Sequence, residues 1–173
     1  MVNDHRTRAQ VTFGRAFTPA TPEVYGETIL AMVPTLLVTI TTPVALRTWL
    51  RAWTIASQYA NRVWTAPTLG VQEDAHDANR LSLALRLDTA VAVPTVRATT
   101  PAGDLHGRGR VSLTVDPLHI EIIHGAAWHG LWTTWREVYT AGEQLWELPP
   151  FDTERAISLR WWRHQRARQR HGL

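Results

Sequence analysis

The clearest hydrophobic pattern in the chain is helical and begins after Thr42-Pro43. Apolar residues recur at intervals of three and four positions in this stretch, while its arginines and Gln58 fall outside the apolar stripe. Threonine caps helices, and proline is favoured at the first helical position. The pattern predicts an amphipathic helix over residues 43–64, with Trp49 and Trp53 on the side that faces the core.

A second helical pattern extends from Ala126 to about Leu148. The apolar residues on one side of it are Leu131, Trp132, Trp135, Val138, Tyr139, Leu145 and Trp146. The pair Pro149-Pro150 is expected to end this helix, because proline cannot donate a helical hydrogen bond.

A third, shorter helix is predicted from Pro22 to about Val33. Thr21 precedes Pro22 and Glu23 follows it, which is the order of residue types typical of a helix start. Pro34 is expected to stop this helix.

The other patterned segments are short and rich in β-branched or alternating apolar residues. In the first half of the chain they predict strands over residues 10–17 and 35–41, and the second strand has so little polar alternation that both its faces are expected to be covered. In the second half they predict four successive strands, at 80–88, 91–99, 110–115 and 118–124. Successive short strands joined by turns favour an antiparallel meander.

These elements predict an α+β fold: an antiparallel sheet of four to six strands packed by two long amphipathic helices, with a basic helical extension at the C-terminus. We expect residues 1–154 to form a single domain, because no linker is long enough to demand two, and residues 155–173 to form an arginine-rich extension. No internal repeat is visible in the sequence.

One uncharged stretch, Thr28–Leu46, approaches the length that crosses a bilayer. It contains Pro34 and Pro43, and prolines free backbone groups that lipid cannot satisfy. We therefore expect no membrane span. The first residues carry charge without a following apolar block and cleavage site, so a cytoplasmic location is the expectation.

The composition excludes several kinds of chemistry. The chain has no cysteine, which excludes disulfides, thiol nucleophiles and thiolate metal sites. It also lacks a phosphate-binding glycine loop and the serine-hydrolase, zinc-protease and kinase motifs. No cofactor and no metal are therefore predicted, and enzymatic activity is a minority alternative.

That minority alternative is a hydrolase that uses His119, Glu121 or His124. On a regular strand His119 and Glu121 would share one face, His124 would lie on the other, and His129 would follow at the start of the next helix. Metal binding or proton transfer would require these groups to lie together in one cleft. Surface or hydrogen-bonded structural histidines are the competing interpretation.

A cluster of acidic residues lies in the stretch 65–79, which has no periodic pattern. Glu73, Asp74 and Asp77 surround His76 there, but they lack the spacing of a calcium-binding loop. We expect a solvated acidic turn in a long surface loop.

Charge is distributed very unevenly along the chain. Residues 1–154 contain 12 arginines and all 15 acidic residues, whereas residues 155–173 contain six arginines and no acid. Lysine is absent, so every basic side chain is a planar guanidinium. The net charge of +3 therefore originates in the last nineteen residues.

The C-terminal segment combines this charge with two tryptophans. Guanidinium groups bind phosphates through paired hydrogen bonds, and exposed indoles stack on unpaired bases. The sequence therefore predicts a non-enzymatic nucleic-acid-binding or nucleoprotein-assembly protein, of RNA or DNA. The predicted nucleic-acid-binding residues are Arg160, Trp161, Trp162, Arg163, Arg166, Arg168 and Arg170.

Three other roles for the C-terminal segment remain open. It is basic and aromatic enough to lie on an anionic membrane surface, and it could simply keep the protein soluble. In the third role the segment docks on an acidic surface of its own or a neighbouring subunit. This last alternative describes a structural protein–protein interaction module of a homo-oligomer or larger particle.

Overall fold

A computed structural model of the chain describes residues 9–64, 83–99 and 109–151. Within these ranges the chain forms eight strands and two helices: β1 (Ala9–Phe13), β2 (Glu23–Tyr25), β3 (Thr28–Val33), β4 (Leu36–Ile40), α1 (Pro43–Val63), β5 (Leu83–Leu87), β6 (Thr95–Thr99), β7 (Arg110–Val115), β8 (Leu118–Ile122) and α2 (Gly125–Trp146). The α+β class is confirmed, and both long helices lie within two residues of their predicted bounds. The predicted basic helical extension lies outside the described residues.

The strands form two mixed sheets. Sheet I has the strand order β1-β8-β7-β6, and sheet II has the order β2-β3-β4-β5. In each sheet one edge strand is parallel to its neighbour, β1 to β8 and β5 to β4, and the other pairs are antiparallel. The prediction of one antiparallel sheet is wrong, because each sheet receives its parallel edge strand from a distant part of the chain.

The helix predicted from Pro22 to Val33 is wrong as well. This segment forms the hairpin of β2 and β3, in which Gly26 adopts a φ of 57° at the turn. Left-handed backbone of this kind is accessible to glycine without strain. The helix was predicted from the residue types of Thr21, Pro22 and Glu23. Apolar residues lie on both faces of β3, so its period of two is hidden in the sequence.

The predicted four-stranded meander is correct for three strands. β6, β7 and β8 pair in succession as antiparallel neighbours, whereas β5 pairs with β4 of sheet II. β6 begins at Thr95, immediately after Pro94 and four residues later than predicted. Proline lacks the amide hydrogen that a ladder requires, which accounts for the later start.

The core lies between the sheets and around the helices. α1 packs against β6 and β7 of sheet I, α2 packs against β3 of sheet II, and the two helices pack on each other. Residues 48–54 of α1 are all buried, so two full turns of this helix are enclosed on every side. Arg51, which the apolar pattern placed away from the core, is only 5% exposed as a result.

The chain contains an internal structural repeat that its sequence does not reveal. A six-residue strand, a two-residue turn, a five-residue strand, a two-residue connection and a long helix occur in this order from 28 to 63 and again from 110 to 146. Each residue of the first repeat corresponds to the residue 82 positions later in the second. The buried strand positions coincide: Ile29, Ala31, Val33, Leu36, Val38 and Ile40 correspond to Val111, Leu113, Val115, Leu118, Ile120 and Ile122.

The two halves exchange their first strands. β1 belongs to the first half but pairs with β8 of the second, and β5 of the second half pairs with β4 of the first. Equivalent hydrogen bonds fix both strands: the amide of Leu83 donates to Thr35 O at 3.0 Å, and the amide of Ala9 donates to Pro117 O at 3.1 Å. Such reciprocal exchange is the arrangement that a twofold axis generates between two subunits.

Candidate functional site

The predicted nucleic-acid-binding residues lie outside the described part of the chain. They are Arg160, Trp161, Trp162, Arg163, Arg166, Arg168 and Arg170. The structure describes the part of the chain that precedes them, residues 9–64, 83–99 and 109–151, which we call the body. The charge of the body is balanced. The described ranges contain eight arginines and eight acidic residues, so the net charge of +3 comes from the other segments.

Several body carboxylates are bonded within the body itself. Glu121 forms an ion pair with Arg110 at 2.7 Å, and only 17% of the Glu121 side chain is exposed. Asp88 forms an ion pair with Arg86 at 2.8 Å and accepts a hydrogen bond from Thr41 Oγ1 at 2.6 Å. The Thr41 hydrogen bond, followed by the Arg86 guanidinium, lowers the pKa of Asp88 below its usual value.

Further carboxylates accept local hydrogen bonds. Tyr25 donates its hydroxyl hydrogen to Glu23 at 2.7 Å, and this bond, together with the negative charge of Glu23, raises the pKa of Tyr25. Glu143 accepts from the amide of Phe151 at 3.2 Å. Glu23, Asp88, Glu121 and Glu143 therefore all have partners within the described part of the chain.

His119, Glu121 and His124, the residues of the hydrolase alternative, make hydrogen bonds or ion pairs with neighbouring groups of the fold. His119 and Glu121 do share the outer face of sheet I, as strand alternation predicts, and the ring of His119 makes a 2.8 Å hydrogen bond with Thr114 Oγ1. His124 is the N-cap of α2, where its Nδ1 accepts from the amide of Ala126 at 3.2 Å. His129 is exposed on α2. Among the described residues no three potential metal ligands lie together.

The acidic cluster of the stretch 65–79 lies outside the part of the fold that the structure describes. Its members are Glu73, Asp74, His76 and Asp77. The prediction of a solvated surface turn therefore stays a prediction.

Five tryptophans of the two helices, Trp49, Trp53, Trp128, Trp132 and Trp135, form one cluster in the core. Trp49 and Trp135 meet edge to face at 5.3 Å, and Trp53 packs against Trp128 at 5.9 Å. The expectation that Trp49 and Trp53 belong to the core is confirmed, since both are fully buried. Among the described residues, no hydrogen-bond acceptor lies within reach of the indole nitrogens of Trp49, Trp53 and Trp135. Neighbouring ring faces remain as weak partners for these N–H groups, so the cluster is packing rather than a binding platform.

The outer faces of the two sheets differ in chemistry although their backbones are equivalent. On sheet I, the outward residues of β7 and β8 are polar: Arg110, Ser112, Thr114, His119 and Glu121. On sheet II, the outward residues of β3 and β4 are mainly apolar: Thr28, Leu30, Met32, Leu37 and Thr39. This apolar face was not predicted. Its signal was the absence of polar alternation in residues 28–40, but residues 22–33 were predicted as a helix, and the lack of alternation in residues 35–41 was attributed to burial on both faces.

The C-terminal end of the described chain is fixed to α2. The hydroxyl of Tyr139 donates to Pro149 O at 3.1 Å, and the Phe151 ring packs against the Tyr139 ring at 5.0 Å. Burial raises the pKa of Tyr139, and a hydrogen bond from Arg47 opposes this shift. The segment that carries the arginines therefore departs from a defined point on the body.

No helix within the described ranges has both the length and the apolar character needed to cross a membrane. The uncharged stretch Thr28–Leu46, which approaches a bilayer in length, is divided between β3, β4 and the start of α1.

Comparisons with known proteins provide no relative from which a function could be transferred. No protein-family model, no curated protein and no solved structure matches it.

Proposed function

We propose that this protein binds nucleic acid without catalysing a reaction, either alone or as part of a nucleoprotein assembly. Its C-terminal arginines contact the phosphate backbone, and Trp161 or Trp162 stacks on unpaired bases. The observation that carries the proposal is the separation of charge: the described body is neutral, while residues 155–173 contain six arginines and no acid.

The bonding of the body carboxylates supports this proposal over docking of the tail on its own body. Arginines that dock on a protein require carboxylates of their own, because a partly buried charge without a partner is costly. Asp88 and Glu121 are already in ion pairs with Arg86 and Arg110. A phosphate backbone, in contrast, offers each guanidinium a fresh anionic partner.

The position where the described chain ends also supports the proposal. Phe151 is held on α2, and Arg160 lies nine positions further along the chain. Nine residues span at most about 32 Å when extended. The arginines can therefore reach a nucleic acid that lies beside the body, and the body can contribute contacts of its own.

The salt dependence of binding tests this proposal. The full-length chain is compared with a variant in which Arg160, Arg163, Arg166, Arg168 and Arg170 are replaced by glutamine. If these five arginines neutralise phosphates of duplex DNA, log affinity falls against log salt concentration with a slope of about −4 to −5, and the slope of the variant approaches zero. Fluorescence anisotropy with labelled duplex DNA and single-stranded RNA measures both slopes.

Two control variants separate charge from stacking. Replacement of body arginines, Arg97→Gln and Arg136→Gln, should leave most of the slope unchanged. Replacement of Trp161 and Trp162 by alanine should weaken single-stranded RNA binding by about tenfold while keeping the slope, because stacking does not release counterions. Binding that is insensitive to salt, or unaffected by the loss of all five arginines, contradicts the proposal.

A further inference from the structure

Sheet II presents an apolar outer face that nothing in the described part of the chain covers completely. Met32 is 55% exposed at its centre and Tyr25 is 61% exposed at its edge. Leu30 and Leu37 lie beside Met32 on the same face and are half-buried. Soluble proteins commonly use contiguous apolar patches of this kind for contact with another molecule.

The second repeat shows that the fold does not require these apolar residues. The positions equivalent to Leu30, Met32 and Leu37 are Ser112, Thr114 and His119, on strands of the same length and register. The buried positions of the two repeats are apolar in both, whereas the outward positions have diverged. Since strands of the same length and register form with polar residues at these positions, the backbone of sheet II does not require an apolar outer face.

The charges that flank this face complement each other across it. Register places Glu23, Leu30, Thr39 and Arg86 in one row, with an acidic residue on edge strand β2 and a basic residue on edge strand β5. A second copy can pack on this face about a twofold axis that runs parallel to the strands, between β3 and β4. This axis places β2 of each copy opposite β5 of the other, and β3 opposite β4. Glu23 would then face Arg86 of the second copy, twice in the interface.

The same axis matches the apolar residues. Met32 on β3 and Leu37 on β4 are direct neighbours across the strands. The axis between these strands brings Met32 of one copy against Leu37 of the other, and Leu30 against Thr39. Aligned face-to-face packing of two sheets is an ordinary way to bury such faces.

We propose that two copies of this chain associate through the outer face of sheet II, about a twofold axis along β3 and β4, with Met32 and Leu37 at the centre and Glu23–Arg86 pairs at both edges. This interface is independent of the C-terminal arginines. Four strands of three to six residues give a face of at most about 15 Å by about 20 Å. The dimer is therefore weak, with a dissociation constant in the micromolar range.

Sedimentation velocity on nuclease-treated, full-length protein tests the interface over concentrations from about 1 μM to about 500 μM. We expect a change from monomer to dimer over this range. Met32→Glu should raise the dissociation constant more than about tenfold, because it places a charge in the apolar centre. Thr114→Glu, at the equivalent position of sheet I, is the matched control and should not change it.

A second variant controls for the possibility that Met32→Glu loses the dimer because it misfolds. Leu30→Ser, Met32→Thr and Leu37→His together introduce the residues that the other repeat carries at these positions. This variant should retain its circular dichroism spectrum and sediment as a monomer.

Charge-reversal variants of the Glu23–Arg86 pair test the orientation of the twofold axis. Glu23→Arg alone or Arg86→Glu alone should raise the dissociation constant about tenfold, since each places like charges opposite one another. The double variant should restore the dimer. A double variant that is weaker than both single variants overturns the proposed arrangement.

Two further results would overturn the interface itself: a monomer at every concentration, or a dimer that survives Met32→Glu. A monomer at every concentration would indicate that the face contacts another protein or another part of this chain. The variant with five C-terminal arginines replaced should dimerise as the unmodified protein does. If that variant alone is monomeric, the association depends on the arginine segment and not on sheet II.

Discussion

Trp53 and Trp135 occupy equivalent positions in the two repeats, and their rings pack against each other with centroids 5.5 Å apart and planes inclined by 33°. Both side chains are at most 1% exposed. A residue that contacts its own equivalent lies where the two halves meet. The pair therefore joins the halves at the centre of the core.

Replacement of Trp135 by alanine should lower the free energy of unfolding by about 3–5 kcal/mol, because it removes the largest kind of side chain from a fully packed site. Trp132 lies in the same cluster but is only half-buried, so Trp132→Ala should cost less than half as much. Urea unfolding followed by far-ultraviolet circular dichroism measures both values without depending on tryptophan fluorescence. Equal losses in the two variants would show that Trp135 has no central role.

Thr42 joins the first helix to the exchanged strand. Its Oγ1 accepts from the amide of Ala45 at 3.2 Å and donates to Asp88 O, beyond the end of β5, at 3.1 Å. Thr42→Ala should cost about 1–2 kcal/mol of stability, since it removes both the cap and the link. Thr42→Ser keeps the hydroxyl and should restore most of the loss in the same urea experiment. Similar losses for alanine and serine would argue against the hydroxyl as the cause.

Two helical glycines of α2 should respond differently to alanine. A Cβ at Gly142 would overlap Leu46, which is fully buried and has little room to move. Gly142→Ala should therefore destabilise the protein by about 1–3 kcal/mol, although alanine favours a helix by up to about 1 kcal/mol. The atoms nearest to a Cβ at Gly130 would be those of the Phe17 ring, at 3.0 Å or more, and Phe17 is half-buried. Gly130→Ala should be nearly neutral, and thermal unfolding can rank the two.

The hydrogen bond from Thr41 and the charge of Arg86 predict an acid-dependent loss of stability at Asp88. Because these partners lower the pKa of Asp88 in the folded state, their stabilising effect is present above the unfolded pKa of about 3.9. It is lost as the pH falls through the lower pKa of the folded protein. Asp88→Asn should therefore be less stable than the unmodified protein at pH 6, and the difference should shrink towards pH 2. Urea midpoints across this range measure it, and a constant difference would contradict the assignment.

The success of the sequence analysis followed the strength of each local pattern. α1 and α2 were predicted within two residues of their bounds because their apolar stripes span about six turns. β2 and β3 were mistaken for a helix because Thr21, Pro22 and Glu23 have the order typical of a helix start. Leu30 and Met32 make the outer face of β3 as apolar as the inner one, which hid the alternation of a strand. Gly26, between two apolar runs, was the available signal for a hairpin turn.

The pairing of the sheets could not be predicted from the sequence. β5 alternates as an ordinary strand, and nothing in its residues indicates that it pairs with β4 rather than with β6. The repeat was also hidden, since few of the equivalent positions are identical; Leu36 with Leu118 and Trp53 with Trp135 are examples that are. Burial fixes only whether such positions are apolar. The sites predicted at the C-terminus lie outside the described residues, so they stay a prediction.

The exchange of β1 and β5 has a consequence for how the body loses its structure. If the first half unfolded alone, sheet I would lose its edge strand β1, and β5 would lose its pairing with β4. Neither half can keep its four strands once the other has gone, so partial melting exposes apolar surface on both sides of the molecule. We therefore expect the body to unfold in one cooperative transition, with no stable half-folded species.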